Sequence, residues 1–299
     1  MASSINNGGV LYVIKIRNYN HLLEWIYKFR DGLRSLMVVF VIYVAAFIYL
    51  FIQNFIFSQN IDLLYFRTDD SLAFHNYLLH IHQELKFFNL NGYRYGWIYW
   101  FPLAFITYPF FLLSTLFGID MPLLVIPRQV SLCYTFATAF LLFKIASIYT
   151  RDNFLKSVVL LLFLSFPTTG HFSLIFGSTT QAMFFSTLAF YLTARKEIIT
   201  RQDLVKIALV LGIAVATKTN ALLITPLIFF IIADRLSWKL NDKSVYSAYI
   251  FVAVFFISFF CLGQVSIGDI TKRILQNIMI NEGDYLGVYG SVSNFFLIS

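Results

Sequence analysis

The alternation of apolar and polar stretches along the chain sets the first expectation. Residues Ser35 to Phe57 (SLMVVFVIYVAAFIYLFIQNFIF) carry no charge, and as a helix they are long enough to cross roughly 30 Å of hydrocarbon. Further apolar runs follow at Tyr99 to Phe117, Gln129 to Tyr149, Phe154 to Phe166, Ala182 to Ala194, Ile207 to Ala233 and Tyr246 to Gly263. Between the first two runs the pattern changes. From Ser71 onward Phe74, Tyr77, Leu78, Ile81, Leu85 and Phe88 recur at helical spacing, which predicts an amphipathic helix laid on a membrane or on other helices. The expected fold is all-α, a polytopic transmembrane helical bundle with amphipathic interfacial helices in the first outer loop.

Composition narrows the class. The chain is 59% hydrophobic and 12% charged, against about 25% charged residues in soluble domains. A soluble globular protein, a disordered chain and a disulfide scaffold are excluded. The 22 Lys and Arg residues cluster between apolar runs, where they mark topology, so nucleic acid is not an expected partner and the lipid bilayer is. Cys133 and Cys261 lie inside apolar runs without a CxxC partner and read as small core hydrophobes.

Lys15, Arg17, Lys28, Arg30 and Arg34 precede the first span. They place the amino terminus in the cytoplasm, and the lack of a cleavage pattern makes that span an uncleaved anchor. If Tyr99 to Phe117 crossed the membrane, the cluster Arg195, Lys196, Arg201 and Lys206 would face outside. If that run instead lies in the outer leaflet, and Ile207 to Ala233 is a hairpin broken at Lys218, 15 of the 22 basic residues face inside. The second arrangement is preferred. It has six to seven spans, outer loops at about 58–127 and 167–181, and a turn at Lys218. The organisation expected is a cytoplasmic segment 1–34, a transmembrane domain 35–263 and an outer segment 264–299, in a multi-pass protein of the plasma or inner membrane.

Several residues carry candidate chemistry. Asp69 and Asp70 stand before the amphipathic helix in YFRTDDSLAFHNYLLHIHQE. They read either as caps for free N–H groups and the helix dipole or as a general base or metal ligand with a tuned pKa. Lys218, in VLGIAVATKTNALLITP, interrupts an apolar run at a cost of about 2.5–3.5 kcal/mol on insertion scales. It reads either as a lysine snorkelling from a turn or as an ammonium for an anionic headgroup or phosphate, with Thr217, Thr219 and Asn220 as further polar groups. Arg94, in NGYRYGWIYWFP, and Arg128, after Pro122 and Pro127, read as interfacial anchors or as holders of a phosphate or of a sugar stacked on Tyr93, Tyr95 or Trp97. Pro226 is expected to break the second half of the hairpin.

His75 and His82 share a helix face two turns apart, while His80 pairs with Glu84 at i+4; the spacing matches no zinc signature. Neither GxxxxGK[ST], GxSxG nor GxGxxG occurs, so ATP-driven and serine-hydrolase chemistry have no support. No cofactor is expected, and a divalent metal has no motif behind it. His171 and Gln181, in FPTTGHFSLIFGSTTQAMFF, are assigned to the second outer loop.

The order of these elements resembles a known family. An acidic pair after the first span, the YRYGWIYWFP stretch followed by LFG, an arginine opening the next span, an FP-bounded second loop and the GIAVATKT turn are together similar to the GT-C membrane glycosyltransferases. Within them the chain is most similar to the protein O-mannosyltransferase and lipid A aminoarabinose transferase group, over roughly residues 35–235. The resemblance implies an outward-facing site that moves a sugar from a polyprenyl-phosphate donor to a hydroxyl acceptor, with inversion. It implies Asp69 as catalytic base, Asp70 as the second acid, Lys218 near the donor phosphate, and Arg128 as structural or phosphate-facing. The chain departs from the pattern where GHFSLIFGSTTQ lacks an acid and where Phe101-Pro102 replaces a lysine before proline, which leaves Arg94 as the substitute cation. Further spans and an outer domain are expected beyond Ser299. From other classes, a transporter or flippase for a lipid-linked glycan would use the same anionic-lipid contacts without a base, and a non-catalytic membrane subunit would use none of this chemistry.

Overall fold

The computed structural model describes residues 36–58, 71–84, 97–118, 125–235 and 242–263, with Glu24, Tyr27, Lys28 and Asp31 before them. All regular structure among these is helical. The elements are α1 (Leu36–Phe57), α2 (Ser71–Glu84), α3 (Trp97–Phe117), α4 (Val125–Tyr149), α5 (Asn153–Ser165), α6 (Pro167–Leu174), α7 (Ser178–Ala194), α8 (Arg201–Thr217), a 3₁₀ helix (Thr219–Ile224), α9 (Thr225–Arg235) and α10 (Asp242–Gly263).

Helices α1, α3 and α4 are long and apolar enough to cross a membrane, and α5 with α6 makes a fourth if that pair, bent by 59°, is one span. This is fewer than the six to seven spans expected from sequence. The difference lies in helix length: α7 and α8 have 17 residues each and α9 has 11, about 26 Å and 16 Å of rise.

Side-chain contacts fix how these helices run. Asn54 near the end of α1 donates from Nδ2 to the carbonyls of Arg128 in α4 and Ser173 in α6, each at 3.1 Å. Tyr43, three turns earlier, donates to the carbonyl of Phe136 at 2.7 Å. Helices α1 and α4 are therefore antiparallel. Helix α7 runs parallel to α4, with Tyr134 against Phe184 and Phe185. Helix α8 runs back, from Asp203 beside Lys196 at 3.5 Å to Lys218 beside Thr179. Helix α9 returns until Arg235 meets the Lys196 carbonyl at 2.6 Å. Helix α10 follows α8 in parallel, from Tyr246 under Arg201 to Ser258 beside Gly212. The bundle thus has an Asn54 end and a Lys196 end.

One close approach and one helix end shape it. A Cβ on Gly212 would collide with the Ser258 Cβ and meet the Phe255 carbonyl at 3.1 Å, so the α8–α10 contact needs glycine there. Around it Ile207, Ala208, Leu211, Val215, Ile228 and Phe255 form the largest core. At the other glycine, Gly118 closes α3 with φ of 61°, the left-handed conformation favoured after a helix end.

Helix α3 stays at the Asn54 end. Its Ile98 carbonyl accepts from Gln181 of α7 at 3.3 Å. In α2, Phe74 touches Phe176 while the next residue, His75, touches Phe111 thirteen positions along α3 from Ile98. The seven steps from Gly118 to Val125 reach at most about 25 Å, and α4 begins at this same end. Helix α2 packs on α3 through buried Phe74, Tyr77, Leu78 and Ile81, the face that the helical spacing predicted. Leu85 and Phe88, like segment 264–299, lie outside the described residues.

Three expectations need correction. Segment 167–181, read as an outer loop, contains helix α6 and the start of α7; Phe166 at φ −63°, ψ 126° breaks the helix, because a residue before proline is driven out of the α region and Pro167 then suits the first helical position. Cys133 is exposed on α4 and not part of the core; a helix in lipid carries apolar residues outward as readily as inward. Pro226 lies in the first turn of α9 and starts that helix where it was expected to break one.

Candidate functional site

The break between α8 and α9 positions the most informative side chain. Lys218 ends α8 with its amide donating to the Ala214 carbonyl at 3.0 Å, and its own carbonyl accepts from Ala221 at 2.9 Å, opening the 3₁₀ helix. Its backbone is extended, at φ −153° and ψ 122°. This throws the side chain sideways onto α7, where Nζ donates to Thr179 Oγ1 at 2.7 Å.

Thr179 is in the first turn of α7, whose cap residue Gly177 offers no side chain to the free amides. A helix N-terminus of this kind carries roughly half a positive charge and unpaired N–H donors. The Lys218 ammonium is therefore held at a second source of positive potential. The Ser178 hydroxyl of the same turn is 1% exposed and has no hydrogen-bond partner among the described residues. An ammonium, helix amides and two hydroxyls at one place can hold an anion such as a phosphate.

Of the other residues singled out, Arg128 lies at the same end but is 1% exposed inside the bundle, a correction to its reading as an interfacial anchor. Its carbonyl is one of the two tied by Asn54, so its backbone is part of the α1–α4–α6 junction. Asn220 is exposed on the 3₁₀ helix, within two residues of Lys218. Thr217 is buried and donates back to the Ile213 carbonyl at 2.9 Å, which removes it from the set of groups available at the turn. Gln181 ties α7 to α3, and His171 is exposed on α6. Asp69, Asp70, Arg94 and Tyr95 lie outside the described residues.

In α2, His80 Nε2 lies 3.5 Å from Glu84 Oε2, and His75 and His82 both pack edge-on against Phe111. The i+4 and i+7 relations expected from sequence are both present. Among the described residues no group of three His, Cys, Asp or Glu side chains could hold a metal ion.

Sequence reasoning missed Thr179 and Asn54. The signal for the first was a glycine followed by hydroxyls at a helix start, Gly177-Ser178-Thr179; for the second it was an amide in an otherwise apolar span. No family model, no curated protein and no solved structure matches this chain.

Proposed function

We propose that this chain is an integral membrane glycosyltransferase that moves a sugar from a polyprenyl-phosphate donor to a hydroxyl acceptor at the outer face, with inversion. The observation that carries the reading is the Lys218 ammonium held by Thr179 at the uncapped start of α7, where a lipid phosphate finds both charge and amide donors. The sequence resemblance assigns the same lysine to the donor phosphate.

Orientation rests on the distribution of basic residues between the two ends. Among the described residues Lys144, Arg151, Lys156, Arg195, Lys196, Arg201, Lys206 and Arg235 all belong to the Lys196 end, while Arg128 and Lys218 belong to the other. Cytoplasmic ends carry such an excess, so the Lys196 end is taken as cytoplasmic and Lys218 as outward. Helix α3, with Phe105, Leu113, Leu116 and Phe117 exposed, then lies in the outer leaflet beside the site.

In the proposed reaction Asp69 takes the proton from the acceptor hydroxyl as its oxygen bonds to the anomeric carbon, and the bond from that carbon to the phosphate oxygen breaks. Lys218 and the α7 amides stabilise the charge that gathers on the departing polyprenyl phosphate. Asp70 is proposed as the second acid of the catalytic pair, and Arg94 and Tyr95 as groups that bind the phosphate or the sugar of the donor. Purified protein in proteoliposomes, given a panel of polyprenyl-phosphate sugars, should release polyprenyl phosphate and glycosylate a hydroxyl acceptor. A flippase would move the lipid across the bilayer with donor and Asp69→Asn activity intact; that outcome, or no turnover with any donor, overturns the reading.

A further inference from the structure

The cytoplasmic-side face of α8 combines features that the glycosyl-transfer reading does not use. Arg201, Gln202, Val205 and Lys206 line a shallow, open surface depression of about 310 Å³ on α8. Positions 201, 205 and 209 fall in one row of the helix, and 202 and 206 in the row beside it. Val205 and Leu209 are 40% and 44% exposed. The row therefore passes from a cation at its mouth to bare apolar surface one and two turns further in.

The charge on this face is not cancelled by its own helix. Asp203, the acid of the first turn, accepts from the Thr200 hydroxyl at 2.7 Å and the Thr200 amide at 3.1 Å, and faces Lys196 at 3.5 Å. It is committed to the cap. The Arg201 guanidinium rests over the Tyr246 ring at 5.0 Å, an aromatic platform that holds it at the depression while its N–H edges stay available.

We propose that this groove binds one anionic glycerophospholipid of the cytoplasmic leaflet. The phosphate diester pairs with Arg201 and Lys206, Gln202 reaches the glycerol oxygens, and an acyl chain lies along Val205 and Leu209. A free phosphate or nucleotide would satisfy the cations and leave the apolar row wet. A zwitterionic lipid would satisfy the row and bring its own cation against Arg201. Only an anionic lipid matches both halves.

Native mass spectrometry of the full-length protein, titrated in detergent with phosphatidylglycerol or phosphatidylcholine of the same chains, tests this. The first phosphatidylglycerol should bind about thirtyfold tighter than phosphatidylcholine, as expected for two cations near a headgroup. Arg201→Gln with Lys206→Gln should remove that preference, whereas Arg201→Lys should retain most of it. Lys144→Gln with Arg151→Gln removes equal charge elsewhere at the same end and should leave the preference intact. Soluble glycerophosphoglycerol should fail to compete at equal concentration. Equal binding of the two lipids by the wild type, equal losses in the two double variants, or full competition by the soluble headgroup would each overturn the proposal.

Discussion

The guanidinium of Arg235 donates to the backbone carbonyl of Lys196 at 2.6 Å, joining the end of α9 to the turn that follows α7. Everything between them, α8 and the 3₁₀ helix included, is an excursion to the far end of the bundle and back. Rise along α8 is about 26 Å, and the 3₁₀ helix with α9 returns about 28 Å, so the two legs match. Single cysteines at positions 201 and 220 in a cysteine-free background should be labelled by an impermeant reagent only from inside and only from outside, respectively. Labelling of both from one side would contradict the hairpin.

Gly212→Ala should destabilise the protein, by about 1–2 kcal/mol. Alanine gains up to about 1 kcal/mol of helix propensity, but the new methyl meets backbone and a short side chain of α10, and overpacking against such groups costs about 1–3 kcal/mol. Adding Ser258→Gly, which removes the opposing Cβ, should recover part of the loss in a thermal melt. A Gly212→Ala protein more stable than wild type would show that α8 and α10 are further apart.

Asn54→Leu should cost about 2–3 kcal/mol, because two buried carbonyls lose a donor in a place water does not reach. Asn54→Asp should cost more, since a buried carboxylate then faces the carbonyls of Arg128 and Ser173. Denaturation in nanodiscs would rank the two, and the reverse order would mean that Asn54 does not bridge these helices.

Asp203 predicts an acid-side loss of stability. The Thr200 hydroxyl and amide, with Lys196 beside them, hold its carboxyl below the ordinary carboxylate range. A depressed folded-state pKa means the cap contributes fully above the unfolded value of about 4 and fades as pH falls below it through the folded value. Melting temperature should therefore fall more steeply from about pH 5 to pH 3 in wild type than in Asp203→Asn. Parallel curves would remove Asp203 from the acid response.

Lys218→Ala should raise KM for a polyprenyl-phosphate sugar as well as lower kcat, since it removes a contact to a charge present before reaction. Asp69→Asn should abolish transfer while donor binding persists. Cysteines at 69 and 218 should be bridged by a reagent spanning about 15 Å, the separation that leaves room for a sugar between base and phosphate. Failure to bridge, with both sites labelled singly, would place the two groups in different sites.

Periodicity and charge made much of this legible. The apolar row of α2 and the interruption at Lys218 follow from local rules, one from a 3.6-residue repeat and the other from the cost of a cation in an apolar run. The partners were not legible, because they are set by distance in space. Thr179 precedes Lys218 by 39 residues, and Asn54 reaches Ser173 across 119. The Arg128 reading failed for a related reason: an arginine behind two prolines has the sequence signature of an interfacial anchor whether its side chain meets lipid headgroups or the inside of a bundle.

The posture of α3 also decides a matter of parity. Counting only the described helices that join the two ends, with α5 and α6 taken together, the chain from residue 36 to residue 263 changes ends seven times. An odd number leaves those two residues at opposite ends of the bundle, and an eighth traversal by α3 would bring them to the same end. If each of these traversals crosses a bilayer, as in the orientation proposed above, the chain enters at Leu36 from one side and leaves at Gly263 on the other. In the proposed orientation, with α3 in the outer leaflet, that helix sets the side reached after Gly263, and a reporter fused after Gly263 would read the posture of α3 without a single substitution in it.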